Sequence, residues 1–343
     1  MSTLRKLFFA LFLLASVPAF SQVEPYVDTL MKKEPFHMAG KVLVVGQGEN
    51  IRAFEPYARS YKHVAPYVNV VNRYAHEFPE VRVYCMPIPT ACEFYTPDSA
   101  KVYVRSQAGV INKMFAKLSP NVTPVDVYTV LARHAAEKIY ARTDHHWLPL
   151  GAFYAAGAFA EVAGVPFHDL DSYDENVVKD FVGTMFNYSK EDAIKEAPED
   201  FIYYVPRDVE YETTYIIYTL DDKRVEVLEE SEPYQGKFFL HYSDGSPSAY
   251  CTFMGGDTKL TKVVTSVKNG RKLLILKDSF GNALPGYLFY SFEEIHVVDC
   301  RYYTESIREC VENNGITDIL FANNMTHVGM ERVVNKYNEY LDR

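Results

Sequence analysis

Apolar positions along this chain recur in two rhythms. Short continuous runs at Lys41–Val45, Val81–Met86, Lys272–Leu276, Ile295–Val298 and Asp318–Ala322 read as strands buried on both faces. Between them apolar residues return at helical spacing: Val70, Val71, Tyr74 and Phe78; Val110, Ile111, Met114, Phe115 and Leu118; Val127, Leu131, Ala135 and Ile139. A further helix is predicted from Pro149 to about Val162, ending near Gly164 and rich in the small residues that allow close packing. Val122–Val127 reads as another strand, although Thr123-Pro124 equally suits a helix cap. Thr304 is the predicted cap of a helix carrying Ile307, Cys310 and Val311 that stops at Gly315, and Met330, Val333, Val334 and Tyr337 mark a terminal helix. Roughly six such β–α units predict an α/β fold, a doubly wound, mostly parallel sheet with helices on both faces. Ligands of such sheets bind outside the carboxyl ends of the strands.

The rhythm breaks over residues 167–268. Tyrosines crowd there (Tyr203, Tyr204, Tyr211, Tyr215, Tyr218) and alternating runs such as Thr213–Thr219 predict antiparallel hairpins. This stretch is read as a β-rich insertion or lid on an α/β domain formed by residues 22–166 and 269–343. Residues 1–21 have the anatomy of a cleaved signal peptide: a basic start, a short apolar run, and small residues at Ala19 and Ser21 before Gln22. The expected location is therefore periplasmic or extracellular, with no integral membrane segment in the mature chain.

Composition narrows the function classes. Of the 343 residues, cleavage would leave 322; Arg5 and Lys6 go and no acid does, so the formal charge moves from −10 to −12. An acidic chain without a Lys/Arg block is not a nucleic-acid binder. Five scattered cysteines (Cys85, Cys92, Cys251, Cys300, Cys310) without CxxC spacing indicate neither a metal cluster nor a disulfide scaffold, although Cys85 and Cys92 could pair. Gly46-Gln47-Gly48 follows a strand but has Ile51 where a dinucleotide fingerprint needs glycine, so no cofactor is expected. Asp221-Asp222 and Glu229-Glu230 read as solvated loop charges.

Three predicted loops carry chemistry. One is Thr143-Asp144-His145-His146-Trp147, holding the single tryptophan; one is Lys277-Asp278-Ser279-Phe280-Gly281-Asn282 after a strand; one is Asn323-Asn324. A serine hydroxyl needs a base, and the base a carboxylate to orient it. Side chains two apart in extended chain share a side, so Asp144 could orient His146, with His145 as an alternative base. Ser279 sits where helix-terminal N–H groups could face an oxyanion, and Asn282, Asn323 or Asn324 could add a side-chain donor. The competing readings are plain: a strand-end serine is commonly a cap or turn residue, and an Asp-His-His run suits a metal or a loop support. His134, His168, His241, His296 and His327 stand alone and read as surface or core residues.

Asp144-His145-His146-Trp147 resembles the signature of the bacterial DHHW proteins, and Lys277–Pro285 with Val297–Tyr302 resembles their C-terminal block. That family is similar to the SGNH-hydrolase-like alginate O-acetylation proteins, in which an Asp-x-His-Trp motif precedes the serine block. The resemblance implies a permuted SGNH/flavodoxin-like α/β fold, with Ser279 as nucleophile, His146 as base, Asp144 as its orienting acid and an asparagine at 323 or 324 as oxyanion donor. It implies a secreted serine esterase or O-acyltransferase acting on acylated glycan, with a polysaccharide or peptidoglycan-type glycan and an acyl-donor protein as partners. The alternative is a non-catalytic glycan-binding or cell-envelope assembly protein with a degenerate site. Two departures favour it: Lys277 replaces the usual glycine before Asp-Ser, and no second-block glycine lies near Asp299–Arg301. Gly255-Gly256 before Asp257 reads as a turn.

Overall fold

The computed structural model describes residues 22–26, 31–221 and 227–343. The signal peptide predicted over 1–21, and Asp222, lie outside the described residues. Among the described residues no helix is long and apolar enough to cross a membrane.

Strands β1 (Phe36–Ala39), β2 (Val42–Val45) and β3 (Arg52–Phe54) form a small antiparallel sheet. The run predicted at Lys41–Val45 is thus a buried strand, but it does not join the parallel sheet. It turns back through Gly46, whose φ of 80° only glycine adopts freely, instead of feeding a crossover helix. Next come β4 (Arg82–Ile88) and β5 (Val122–Pro124), then β6 (Tyr173–Phe181) and β7 (Glu199–Pro206), which pair as an antiparallel ribbon. They are followed by β8 (Tyr211–Ile216), β9 (Tyr218–Leu220), β10 (Val227–Glu230), β11 (Tyr234–Gly236) and β12 (Leu260–Thr265). The last three are β13 (Lys272–Lys277), β14 (Glu294–Asp299) and β15 (Asp318–Asn324).

The central sheet has eight strands in the order β11-β8-β12-β14-β13-β15-β4-β5. From β14 to β5 neighbours are parallel; β12, β8 and β11 extend the β14 edge in antiparallel fashion. The fold is therefore mixed α/β with a central, largely parallel sheet. Residues 167–268 supply three strands of that sheet and the β6–β7 ribbon beside it.

Register shows that both faces are covered. Tyr84 stands beside Leu320, and Phe321 beside Cys85, so Tyr84 and Phe321 point to opposite faces. Tyr84 packs edge-on against Phe159 of the helix Pro149–Ala163. Phe321 packs against Tyr74 of the helix Tyr61–Glu77 and Tyr337 of the helix Glu331–Asp342.

Local capping chemistry sharpens several boundaries. Val122–Pro124 is a three-residue edge strand, the position in which a sheet tolerates proline, and Asp126 caps the following helix by accepting from Thr129 N. The helix Ile307–Asn314 is capped by Ser306, which accepts from Glu309 N, and not by Thr304. Thr304 instead donates to Glu230, which also pairs with the fully buried Lys259, so Glu230 is an exposed but ion-paired strand residue and not a loop charge. Cys85 and Cys92 are free, buried thiols, both pushed up to about 12 by burial. Lys277, Asp299, Asn324 and Ile88 all lie at the carboxyl ends of adjacent parallel strands, and the polar loops gather there.

Candidate active site

The Asp-His-His-Trp segment is held as a narrow loop between two helices. Tyr140 and Trp147 form an antiparallel bridge, and Leu148 N donates to Ile139 O at 2.9 Å. Trp147 is fully buried and its indole N–H points at Phe280 O, 3.0 Å away, which ties this loop to the serine turn. The β6–β7 ribbon braces the other side. Glu199 Oε1 accepts from Arg142 N, Thr143 N and the Thr143 hydroxyl at 2.8–2.9 Å. Burial raises the Glu199 pKa, and Arg142 and the Thr143 bonds oppose that rise only in part.

Asp144, His146 and Ser279 form one line. Asp144 Oδ1 accepts from His146 N at 3.0 Å and from His146 Nδ1 at 2.6 Å, as the spacing of two predicts. A carboxylate only accepts, so Nδ1 carries the proton and Nε2 is left to accept from Ser279 Oγ, 2.8 Å away. The ring of Tyr250 lies parallel to the imidazole, centroids 3.8 Å apart, and restricts its rotation. Asp144 Oδ2 accepts from Thr184 N at 2.8 Å and Thr184 Oγ1 at 2.9 Å. Burial pushes the Asp144 pKa up, but the facing imidazoles of His146 and His145 and these hydrogen bonds outweigh it, holding the carboxyl below the usual range. Gly183 makes this contact possible: a Cβ there would lie 2.3 Å from Asp144 Cβ.

Ser279 opens a single 3-10 turn, Ser279–Ala283, shorter than the helix predicted after the strand. At the first position of the turn, its amide N–H has no acceptor within the turn. Asp278, fully buried, accepts from Phe280 N at 3.0 Å, Asn324 N at 2.8 Å and Asn324 Nδ2 at 3.1 Å, and so joins the serine turn to the end of β15. Ser279 faces a pocket of about 250 Å³ that His145, Tyr188, Arg301, Asn324 and His327 also line.

The three asparagines proposed from the sequence separate here. Asn324 lines this pocket and its Nδ2 also meets His327 Nδ1 at 2.9 Å. Asn323 is turned into the core, where its Oδ1 accepts from Tyr67 and Tyr337. Asn282 Nδ2 reaches Asp257 Oδ1 at 3.1 Å. Lys277, the departure from the usual glycine, points away from the serine. Its Nζ lies 2.6 Å from Asp299 Oδ2, and Arg301 forks onto the same carboxylate at 2.8 and 2.7 Å. Asp257 closes the cluster against Arg301 at 2.8 Å.

Asp144, His145 and His146 hold possible ligand atoms within 4.8 Å of one another. These atoms are already engaged, however: Asp144 Oδ1 with His146 Nδ1, Asp144 Oδ2 and His145 Nδ1 with Thr184, and His146 Nε2 with Ser279, which suits a proton relay better than a cation. Sequence reasoning did not single out Gly183, Thr184, Glu199 or Tyr250, because they come from the irregular segment and carry no motif. It read His327 as isolated, whereas His327 lines the pocket; its place three residues after Asn324, within one helical turn, was the available signal. His134, His168 and His296 have local partners away from this pocket: Glu137, the ring of Tyr290 and Glu294.

The family model described as DHHW protein matches residues 23–298, and the chain belongs to that family. A crystal structure of a DHHW family protein from Eubacterium siraeum superposes with a TM-score of 0.80 at 36% identity, covering 90% of this chain and 98% of that one. Bacillus cereus PatB1 with a sulfonyl adduct gives a TM-score of 0.65 at 16% identity, covering 88% and 98%. A second PatB1 structure gives 0.63 at 19%, covering 88% and 99%. No match is found among curated proteins.

Proposed function

We propose that this DHHW-family chain is a serine-dependent esterase or O-acyltransferase that acts on acylated glycan outside the cytoplasm. One observation carries the reading: the unbroken line from Asp144 through His146 to Ser279 Oγ, with bonds of 2.6 and 2.8 Å, ending at an open pocket. Ser279 Oγ attacks the acyl carbonyl carbon while its proton passes to His146 Nε2. Asp144 keeps the imidazole in the Nδ1–H tautomer and stabilises its charge. Collapse of the tetrahedral adduct expels the alcohol, which takes the proton from His146, and water or a sugar hydroxyl then repeats the sequence on the acyl-serine. The oxyanion faces the Ser279 amide N–H, which is in place before the reaction begins; Asn324 Nδ2, with its two hydrogens given to Asp278 Oδ1 and His327 Nδ1, holds the serine turn to the end of β15.

Two further points support this reading over a degenerate site. The Lys277 ammonium is neutralised by Asp299 and leaves the serine unobstructed. PatB1, whose fold is similar, is known with a sulfonyl adduct, and sulfonyl electrophiles report activated nucleophiles. The test is labelling with a sulfonyl fluoride or a fluorophosphonate, beside turnover of p-nitrophenyl acetate. The native protein should label at one serine; Ser279→Ala should not label, and His146→Ala should label far more slowly. Labelling that persists in Ser279→Ala would falsify the assignment, and a folded native protein inert to all three reagents would favour the glycan-binding alternative.

A further inference from the structure

His146 spends both ring nitrogens within the relay, but its neighbour His145 does not. The two rings lie with centroids 3.7 Å apart, and His145 lines the same pocket as Ser279 with its side chain 28% exposed. His145 Nδ1 is 2.6 Å from Thr184 Oγ1, and that hydroxyl is 2.9 Å from Asp144 Oδ2. The carboxylate can only accept, so the one Thr184 proton goes to Asp144, and Thr184 must accept from His145 Nδ1–H. Nε2 is therefore a bare lone pair. No protein donor among the described residues meets it, and it is not enclosed by other atoms. Burial, helped by the neighbouring His146, lowers the His145 pKa to about 4, so the ring is neutral near pH 7. Its Nδ1 is hydrogen-bonded to a hydroxyl and stands 3.9 Å from Asp144 Oδ1, beyond hydrogen-bond reach, which leaves Nε2 as a hydrogen-bond acceptor in the pocket.

An acyl ester or a tetrahedral oxyanion has no proton to offer that lone pair; a hydroxylated acceptor does. We infer that His145 Nε2 binds a second hydroxyl of the acyl acceptor, so that the alcohol this site selects is a vicinal diol, such as neighbouring hydroxyls of a sugar ring, over an isolated alcohol. The inference rests on the acyl-serine reading above and goes further by naming what the acyl-serine is transferred to. One hydroxyl gives its proton to His146 Nε2 as its oxygen bonds to the acyl carbon. The bond from that carbon to Ser279 Oγ breaks, and Oγ takes the proton back from His146. The adjacent hydroxyl donates to His145 Nε2 and keeps its proton throughout. Two imidazoles, tilted 38° to one another, thus face two hydroxyls on adjacent carbons, and Thr184 acts as a positioning residue that sets the His145 tautomer.

The experiment acetylates the full chain with p-nitrophenyl acetate and reads two quantities. The burst of nitrophenolate reports acylation of Ser279, and the yield of ester reports partition of the acetyl group among water, cyclohexanol and cis-1,2-cyclohexanediol. The native protein should acetylate the diol about tenfold faster than the single alcohol, the worth of one added neutral hydrogen bond. His145→Phe, which keeps an aromatic ring without an acceptor, should erase that preference, and His145→Gln, whose amide oxygen accepts, should retain part of it. Equal rates for the two alcohols in the native protein overturn the inference without any variant being needed. A diol preference that survives in His145→Phe overturns it as well, and in both cases the burst leaves the acyl-serine reading standing. Absence of a burst in the native protein, with no Ser279 labelling, removes that reading and this inference together.

Discussion

Two buried carboxylates stand at the same end of the sheet, and they are surrounded in opposite ways. Asp299 meets Lys277 and the fork of Arg301, and Asp257 closes the set. Asp144 meets His146, whose far nitrogen leads to Ser279 Oγ and the pocket. Burial pushes both carboxyls up, and their neighbours bring each below the usual range: Arg301 and Lys277 at Asp299, and at Asp144 the His146 and His145 imidazoles with the hydrogen bonds from His146 and Thr184. The partners differ in kind. The Arg301 guanidinium keeps its charge at any working pH, so the Asp299 cluster is saturated and static. An imidazole can gain and lose a proton near neutrality, so the Asp144 line is the one able to move one. A closed cluster holds the geometry of a strand end; a line ending at a hydroxyl can do chemistry there.

The contrast can be broken by experiment, most severely at the relay. His146→Ala should lower kcat for p-nitrophenyl acetate by about 10³-fold or more with little change in Tm, because the serine loses its base while the fold keeps its packing. Near-native turnover in that variant would put the open line on the same footing as the closed cluster. Gly183→Ala comes next. The added methyl would sit 2.3 Å from Asp144 Cβ, so the carboxylate must shift, and kcat should fall by about 10²-fold. A Gly183→Ala protein with unchanged kcat would show that the carboxylate tolerates displacement.

The closed cluster should answer in stability. Lys277→Met leaves Asp299 fully buried and short of one cation, and should cost about 3 kcal/mol in urea unfolding. A loss below about 0.5 kcal/mol would mean that Arg301 and Asp257 suffice alone. The smallest effect is a pH term. Burial lowers His145 and His296 to about 4, below the ordinary value of 6.5. A group with a depressed folded pKa adds stability that is complete above its unfolded pKa and is lost as pH falls towards the folded one. Tm should therefore decline between about pH 6.5 and pH 4, and His145→Gln should flatten part of that decline. An identical slope in the variant would remove His145 from the account.

How much of this is legible in the chain depends on the range of the interaction. Asp144 and His146 are two apart in an extended segment, so their meeting is a local consequence of backbone geometry. Ser279 follows a run of buried residues, which places it at a strand end. The runs that became β4, β13, β14 and β15 are equally plain, because a strand buried on both faces has to be apolar throughout. Lys41–Val45 shows the limit: the same apolar signal serves an antiparallel hairpin, and only the return through Gly46 distinguishes them. Thr304 and Ser306 show another, since both residue types cap helices and the choice rests on which hydroxyl reaches the Glu309 amide.

By itself, then, the sequence determined a largely parallel α/β sheet, its strand ends as the place for chemistry, and Asp144, His146 and Ser279 as the residues to examine, because periodicity and short spacings act through neighbouring backbone. Only the tertiary structure decided which way each proton points. Thr184 arrives 40 residues after Asp144 to accept from His145, and Asp299 arrives 22 after Lys277 to neutralise it. Those contacts form when distant segments close over a site and exclude water from it. In that setting an unpaired polar atom is costly, and each donor and acceptor has to find a partner or face the pocket.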